Sequence, residues 1–162
     1  MPMELSEKDK KAARWAHDLF VLNILFFHLL LTPATIMLGI GVTGLLIPLA
    51  LSLAVITYIY YRGQRESRWF VAAHWRLAFK RCKLLLIGYA ITAAILLLAE
   101  LLTAGMKDAH MADIMVTVIT RIAIMPTLIL VMVTVVMEAS ATSLVSKGEV
   151  PEKIIREFPP HS

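Results

Sequence analysis

Between Leu19 and Tyr61 the chain carries no Asp, Glu, Lys or Arg, an apolar run of 43 residues. A bilayer core of about 30 Å needs about 20 helical residues to cross it, so the run is long enough for two crossings. Pro33, Gly39, Gly41 and Gly44 punctuate it. The pattern predicts one helix over 18–38, a tight glycine turn over 39–44, and a second helix over 43–62. Pro33 lacks an N–H and is expected to kink the first helix.

Two further apolar runs follow. Leu84–Ala104 has Glu100 as its one charge, and Ile114–Met137 has Arg121. The link over 105–113 is short and polar. The expected fold is therefore all-α: an integral membrane bundle of four transmembrane helices. Its divisions are an N-terminal segment (1–17), a helical hairpin (18–62), a basic aromatic segment (63–83), a second hairpin (84–137) and a C-terminal tail (138–162). The tail ends in Pro159 and Pro160 and is expected to fray into a solvated segment.

Within the basic segment, Val71, Trp75, Ala78, Phe79 and Cys82 recur at helical spacing as an apolar stripe, with Arg76, Lys80 and Lys83 on another face. Such a helix is expected to lie in the membrane interface before the third crossing and to run into it. Arg68, Trp69, Trp75, Arg76, Lys80, Arg81 and Lys83 would then meet lipid headgroups, anionic ones above all.

Composition narrows the class. The chain is 59% hydrophobic and 17% charged, with a mean hydropathy of +0.74. That excludes an ordinary soluble or disordered domain. A net charge of +4 raises the question of nucleic acid, but beside such apolar runs the cations read as membrane flanks, and no nucleic acid is expected. Seven of them lie between Arg62 and Lys83 against one acid, Glu66. Both termini and this segment should therefore face the cytoplasm, and the turn at 39–44 and the link at 105–113 the outside. The expected setting is a bacterial inner membrane. No cleavable signal peptide is expected, and the single cysteine, Cys82, excludes an intrachain disulfide.

Ionisable residues at membrane depth are functional candidates. Glu100 and Arg121 lie on runs joined by a short link, so an ion pair that sets helix register is expected, with an ion or proton pathway as the alternative. Thr117, Thr120, Thr127, Thr134 and Glu138 share a seven-residue face of the fourth run, which reads as a helix–helix or partner seam. Gly88, Thr92, Ala99 and Thr103 read as a seam of small residues on the third. Asn23 and His28 point about 140° apart on the first helix. His17 and His28, eleven positions apart, share a stripe, and each could be only half of a site completed by another helix or chain.

Metal and cofactor signals are weak. His110, Met111 and Met115, with Met106 and Asp113 nearby, resemble a copper ligand set, but methionine is a common packing residue. Only the first crossing carries a histidine, so an internal bis-histidine haem is not expected. No phosphate-binding glycine loop, nucleophile elbow, zinc-helix motif or paired-carboxylate motif occurs. No catalytic residue is assigned and no cofactor is predicted. The expected function is a small non-catalytic membrane subunit that stabilises a larger complex, with other membrane subunits or its own copies as partners. The alternatives are an anchor of a redox complex that shares a quinone or haem through His28, and a small oligomeric transporter using Glu100 and Arg121.

Overall fold

The computed structural model describes residues 5–38 and 46–160, and among them every regular element is helical. The expected glycine turn at 39–44 lies outside the described residues. Four helical stretches are long and apolar enough to cross a membrane: Glu7–Thr35, Leu46–Arg65, Trp69–Thr103 and Ala109–Lys147. The lack of water in a bilayer core explains the choice of helix, because every backbone N–H must be satisfied within its own segment.

The chain divides into two compact units, one of residues 1–82 with 135–162 and one of residues 83–134. In the first, α1 (Glu7–Asn23) starts eleven residues before the expected crossing. Ser6 caps it by accepting a hydrogen bond from the Asp9 N–H, and Glu7 and Asp9 sit in its first turn, where acids suit the helix dipole. The helix then widens into a π-helical segment, Ile24–Leu31, before α2 (Thr32–Met37). This replaces the bare kink expected at Pro33. A proline ring crowds the carbonyl one turn back and gives it no N–H, and wider turns ahead of it relieve both problems. The Thr32 hydroxyl bonds the Phe27 carbonyl at 2.8 Å. Helix α3 (Leu46–Arg65) follows.

Helix α4 (Trp69–Thr103) is continuous over 35 residues, or about 52 Å at 1.5 Å per residue, far longer than one crossing requires. Its first part differs from the expected interfacial helix. Val71, Trp75, Ala78 and Cys82 are buried inside the protein, as are Phe70, Ala72, Ala73 and Leu77. The physical reason is the C-terminal segment, which does not fray. Helix α6 (Met125–Lys147) ends on Gly148, whose φ of 69° is left-handed. The Gly148 N–H bonds the Val145 carbonyl and the Glu149 N–H bonds that of Leu144, a glycine-terminated cap. Helix α7 (Glu152–Glu157) then folds back. Ala73, Leu77, Ala141 and Ile154 form an apolar cluster, with Val150 and Phe158 packed on it. Trp69 donates its indole N–H to the Phe158 carbonyl at 2.9 Å, and the Arg76 guanidinium sits 3.8 Å from the centre of the Phe158 ring.

In the second unit, α5 (Ala109–Ala123) is capped by Asp108, whose carboxylate accepts from the His110 and Met111 N–H groups. The fourth apolar run is not one unbroken helix. It breaks at Ile124, because Pro126 has no N–H to give the Ile122 carbonyl. The small-residue seam packs here. A Cβ at Gly88 would stand 3.1 Å from Leu130 Cδ1 and 3.2 Å from the Cα of Thr127. Thr92 bonds the Ala123 carbonyl at 2.6 Å and the Thr127 hydroxyl at 2.8 Å. Since the second neighbour is backbone, Gly88→Val should force the two helices apart and cost about 1–3 kcal/mol. A denaturant titration in detergent checks this; an unchanged midpoint would contradict the seam.

Candidate functional site

Four side chains from three separate helices meet inside the first unit. Phase places His17 on the buried side of α1, with Ala13, Ala16 and Phe20 around it. His74 and Arg81 stand seven residues apart on α4, hence on one face. Glu138 comes from α6. The side chains of His17, His74 and Glu138 are fully buried, and Arg81 is 6% exposed.

The contacts form a chain. Arg81 donates to Glu138 Oε1 at 2.9 Å. Glu138 Oε2 lies 2.7 Å from His17 Nδ1. His17 Nε2 lies 3.0 Å from His74 Nδ1, the rings meeting nearly edge to face. His74 Nε2 lies 3.2 Å from the Glu149 carbonyl. Donor counting then places the hydrogens. A carbonyl only accepts, so His74 Nε2 carries a hydrogen. With His74 neutral, its Nδ1 is bare and accepts from His17 Nε2–H. One more proton must lie between His17 Nδ1 and Glu138, as an imidazolium facing a carboxylate or an imidazole facing a carboxylic acid. The network thus holds a proton and ties α1, α4, α6 and the segment before α7 together.

The network places several expected residues differently. Arg81 is not a headgroup ligand: it is buried on Glu138. Glu138 faces other helices of the same chain, the helix–helix alternative of its expected seam, and stands at the centre of the network. His17 meets side chains of α4 and α6 of the same chain. His74, read as part of a surface helix, was not singled out. Its 7-residue spacing to Arg81 was the available signal.

Most of the other presumed headgroup residues are also occupied within the protein. Arg68 bonds Glu66 and Asp9 at 2.9 Å each. Arg76 bonds Gln64, Lys80 pairs with Glu157, Trp69 holds Phe158 and Trp75 is 2% exposed. Lys83 is exposed. Between α3 and α4, the Arg68 hydrogen bonds, with Arg62 nearby, hold the Glu66 carboxyl down at about 2 against the opposing effect of its burial. Glu66 therefore stays ionised at neutral pH.

On the first crossing, His28 Nε2 lies 2.9 Å from the Ser52 hydroxyl of α3. Asn23 is 2% exposed, and neither its Oδ1 nor its Nδ2 has a hydrogen-bond partner among the described residues. In the second unit, Thr127 and Thr134 are buried, while Thr117, Thr120, Glu100 and Arg121 are exposed. Thr134 bonds carbonyls of its own helix. Among the described residues no ion pair joins Glu100 to Arg121. Helix α5 begins at Ala109, five residues before the expected Ile114. Arg121 then lies about 18 Å along α5 while Glu100 lies about 5 Å from the end of α4, an axial mismatch too large for the pair.

Among the described residues no three His, Cys, Asp or Glu side chains are arranged to hold a metal ion. His110 and Met111 are exposed and Met115 is half-buried. With this geometry in hand, comparison with protein-family models, curated proteins and solved structures finds no match to the chain.

Proposed function

We propose that the protein is a non-catalytic, multi-pass membrane subunit that stabilises a larger complex by packing against another integral membrane chain. The observation that carries this is the exposed polar stripe of α5. Asp113, Thr117, Thr120 and Arg121 follow helical spacing, all exposed, and Arg121 has no ionic partner among the described residues. Arg at the centre of a crossing costs about 2.5–3.5 kcal/mol on insertion scales, so a lipid-facing stripe of this kind favours a protein partner. At most 28% of the most apolar stretch of any span is buried within the chain, which leaves ample surface for one.

The partner's chemistry follows from symmetry. A two-fold axis along the membrane normal would set Arg121 opposite Arg121, so pairing of two copies through this stripe is repulsive. A different chain with an acidic side chain or free carbonyls at the same depth fits better. In this reading both termini face the cytoplasm of a bacterium, because the Lys and Arg excess lies at that end.

Arg121→Leu removes the need for a polar partner and should leave the fold intact, since the residue is exposed and makes no ion pair among the described residues. Co-purifying chains, read by native mass spectrometry after gentle solubilisation, should fall at least tenfold in this variant with no change in melting temperature. A wild-type protein that runs as a lone monomer would refute the reading.

A further inference from the structure

Beside the buried network, the first unit carries an open cavity of about 620 Å³ lined by Lys8, Lys11, Arg14, Trp15, Asp18, Arg62 and Trp75, with Ala12. That volume lies within the ~300–1,000 Å³ range of small-ligand sites. We infer that this cavity binds the phosphate diester of an anionic phospholipid headgroup. The inference rests on the membrane placement of the four spans and not on the proposed partner of α5.

The charge balance is the first argument. Four cations and one carboxylate line the cavity. Arg14 stands 3.7 Å from Asp18, and Arg62 is held by Glu66 at 2.7 Å. Lys8 and Lys11 have no ion-pair partner among the described residues. They stand three apart on α1, adjacent on one face, so their ammonium groups can converge on one phosphate. Arg68, Arg76, Lys80 and Arg81, by contrast, are engaged by side chains of the protein itself.

Position is the second argument. The cavity lies where α1 passes from a charged segment into the uncharged run that starts at Leu19, and where α3 leaves its apolar run at Arg62. That is the depth of headgroups in a bilayer. Trp75 is buried in the wall, while Trp15 is 48% exposed, the half-wet setting that indole prefers at a membrane boundary. A soluble phosphate site needs no such exposed aromatic. A lipid site gains from it, because the acyl chains beside the headgroup lie along the exposed apolar faces of α1, the π-helical segment and α3, Leu22, Leu25 and Tyr58 among them.

The test uses the full chain in nanodiscs of equal phosphatidylglycerol and phosphatidylcholine. Native mass spectrometry after ejection should show phosphatidylglycerol retained at least fivefold over phosphatidylcholine. The double variant Lys8→Gln/Lys11→Gln should abolish that preference, and Lys153→Gln on α7 should not. Adding millimolar glycerol phosphate separates the sources: no displacement supports a lipid site, and full displacement assigns the cavity to a soluble phosphate instead. Both lysines are exposed, so the double variant should fold, and its unchanged circular dichroism melt verifies that. Equal retention of the two lipids, or a preference that survives the double variant, overturns the inference. Loss of co-purifying chains in the wild type would strike the partner reading alone.

Discussion

Glu138→Ala should destabilise the protein by about 3–5 kcal/mol, the usual cost of breaking a buried pair from one side. Truncation leaves the Arg81 guanidinium buried without its counter-charge, and its Nε already lacks a partner. His17 loses the group that takes up its Nδ1 as well. Glu138→Gln separates the two roles of the carboxylate. An amide oxygen can still accept from Arg81, and an amide N–H can donate to a neutral His17. Every hydrogen bond survives, but the charge and the shared proton are gone. The expected loss is then smaller, about 1–3 kcal/mol, the range for a hydrogen bond to a charged group. Denaturant midpoints in a mild detergent would rank the two variants. Equal, small losses for both would mean that the network contributes nothing to holding α1, α4 and α6 together.

Ile154→Ala carries the second large effect. The side chain is 2% exposed and sits in the cluster with Ala73, Leu77 and Ala141. Removal of a buried Ile side chain costs about 2–5 kcal/mol. A helix of six residues has no stability of its own in water, so the loss should appear as local release of α7 and not as global unfolding. Amide exchange over 154–158 should accelerate by at least tenfold, and Trp69 emission should shift as its bond to the Phe158 carbonyl breaks. Unaltered exchange there would mean that α7 is held by the Lys80–Glu157 pair and by the Trp69 and Arg76 contacts to Phe158.

The two cases differ in how far the sequence pointed to them. Gly148 followed by Pro151 is a stop-and-restart signal for a helix, so the end of α6 was legible. The docking of α7 was not. Its apolar positions, Ile154 and Ile155, are too few to show a period. The stripe Val71, Trp75, Ala78 and Cys82 was legible as one face, but an apolar face looks the same whether lipid or protein covers it. Pro126 was a visible break that an apolar count over Ile114–Met137 passes over. The Glu100–Arg121 pair failed on a matter of origin: Asp108 caps α5 early and carries Arg121 too far along the helix to meet Glu100.

The sequence by itself determined the number and apolar character of the four spans. A bilayer sets the length of a crossing and forbids unsatisfied backbone within it, and both conditions act on local composition. The tertiary structure alone decided which polar residues are partners. Helical periodicity states which residues share a face, but not how one helix is turned about its axis against the next. His17 and Glu138 lie 121 positions apart, and only the packing of α1, α4 and α6 brings them to 2.7 Å. The same packing takes Arg81 away from the membrane surface, and it leaves Lys8 and Lys11 as cations with no ion-pair partner among the described residues at that end of the bundle.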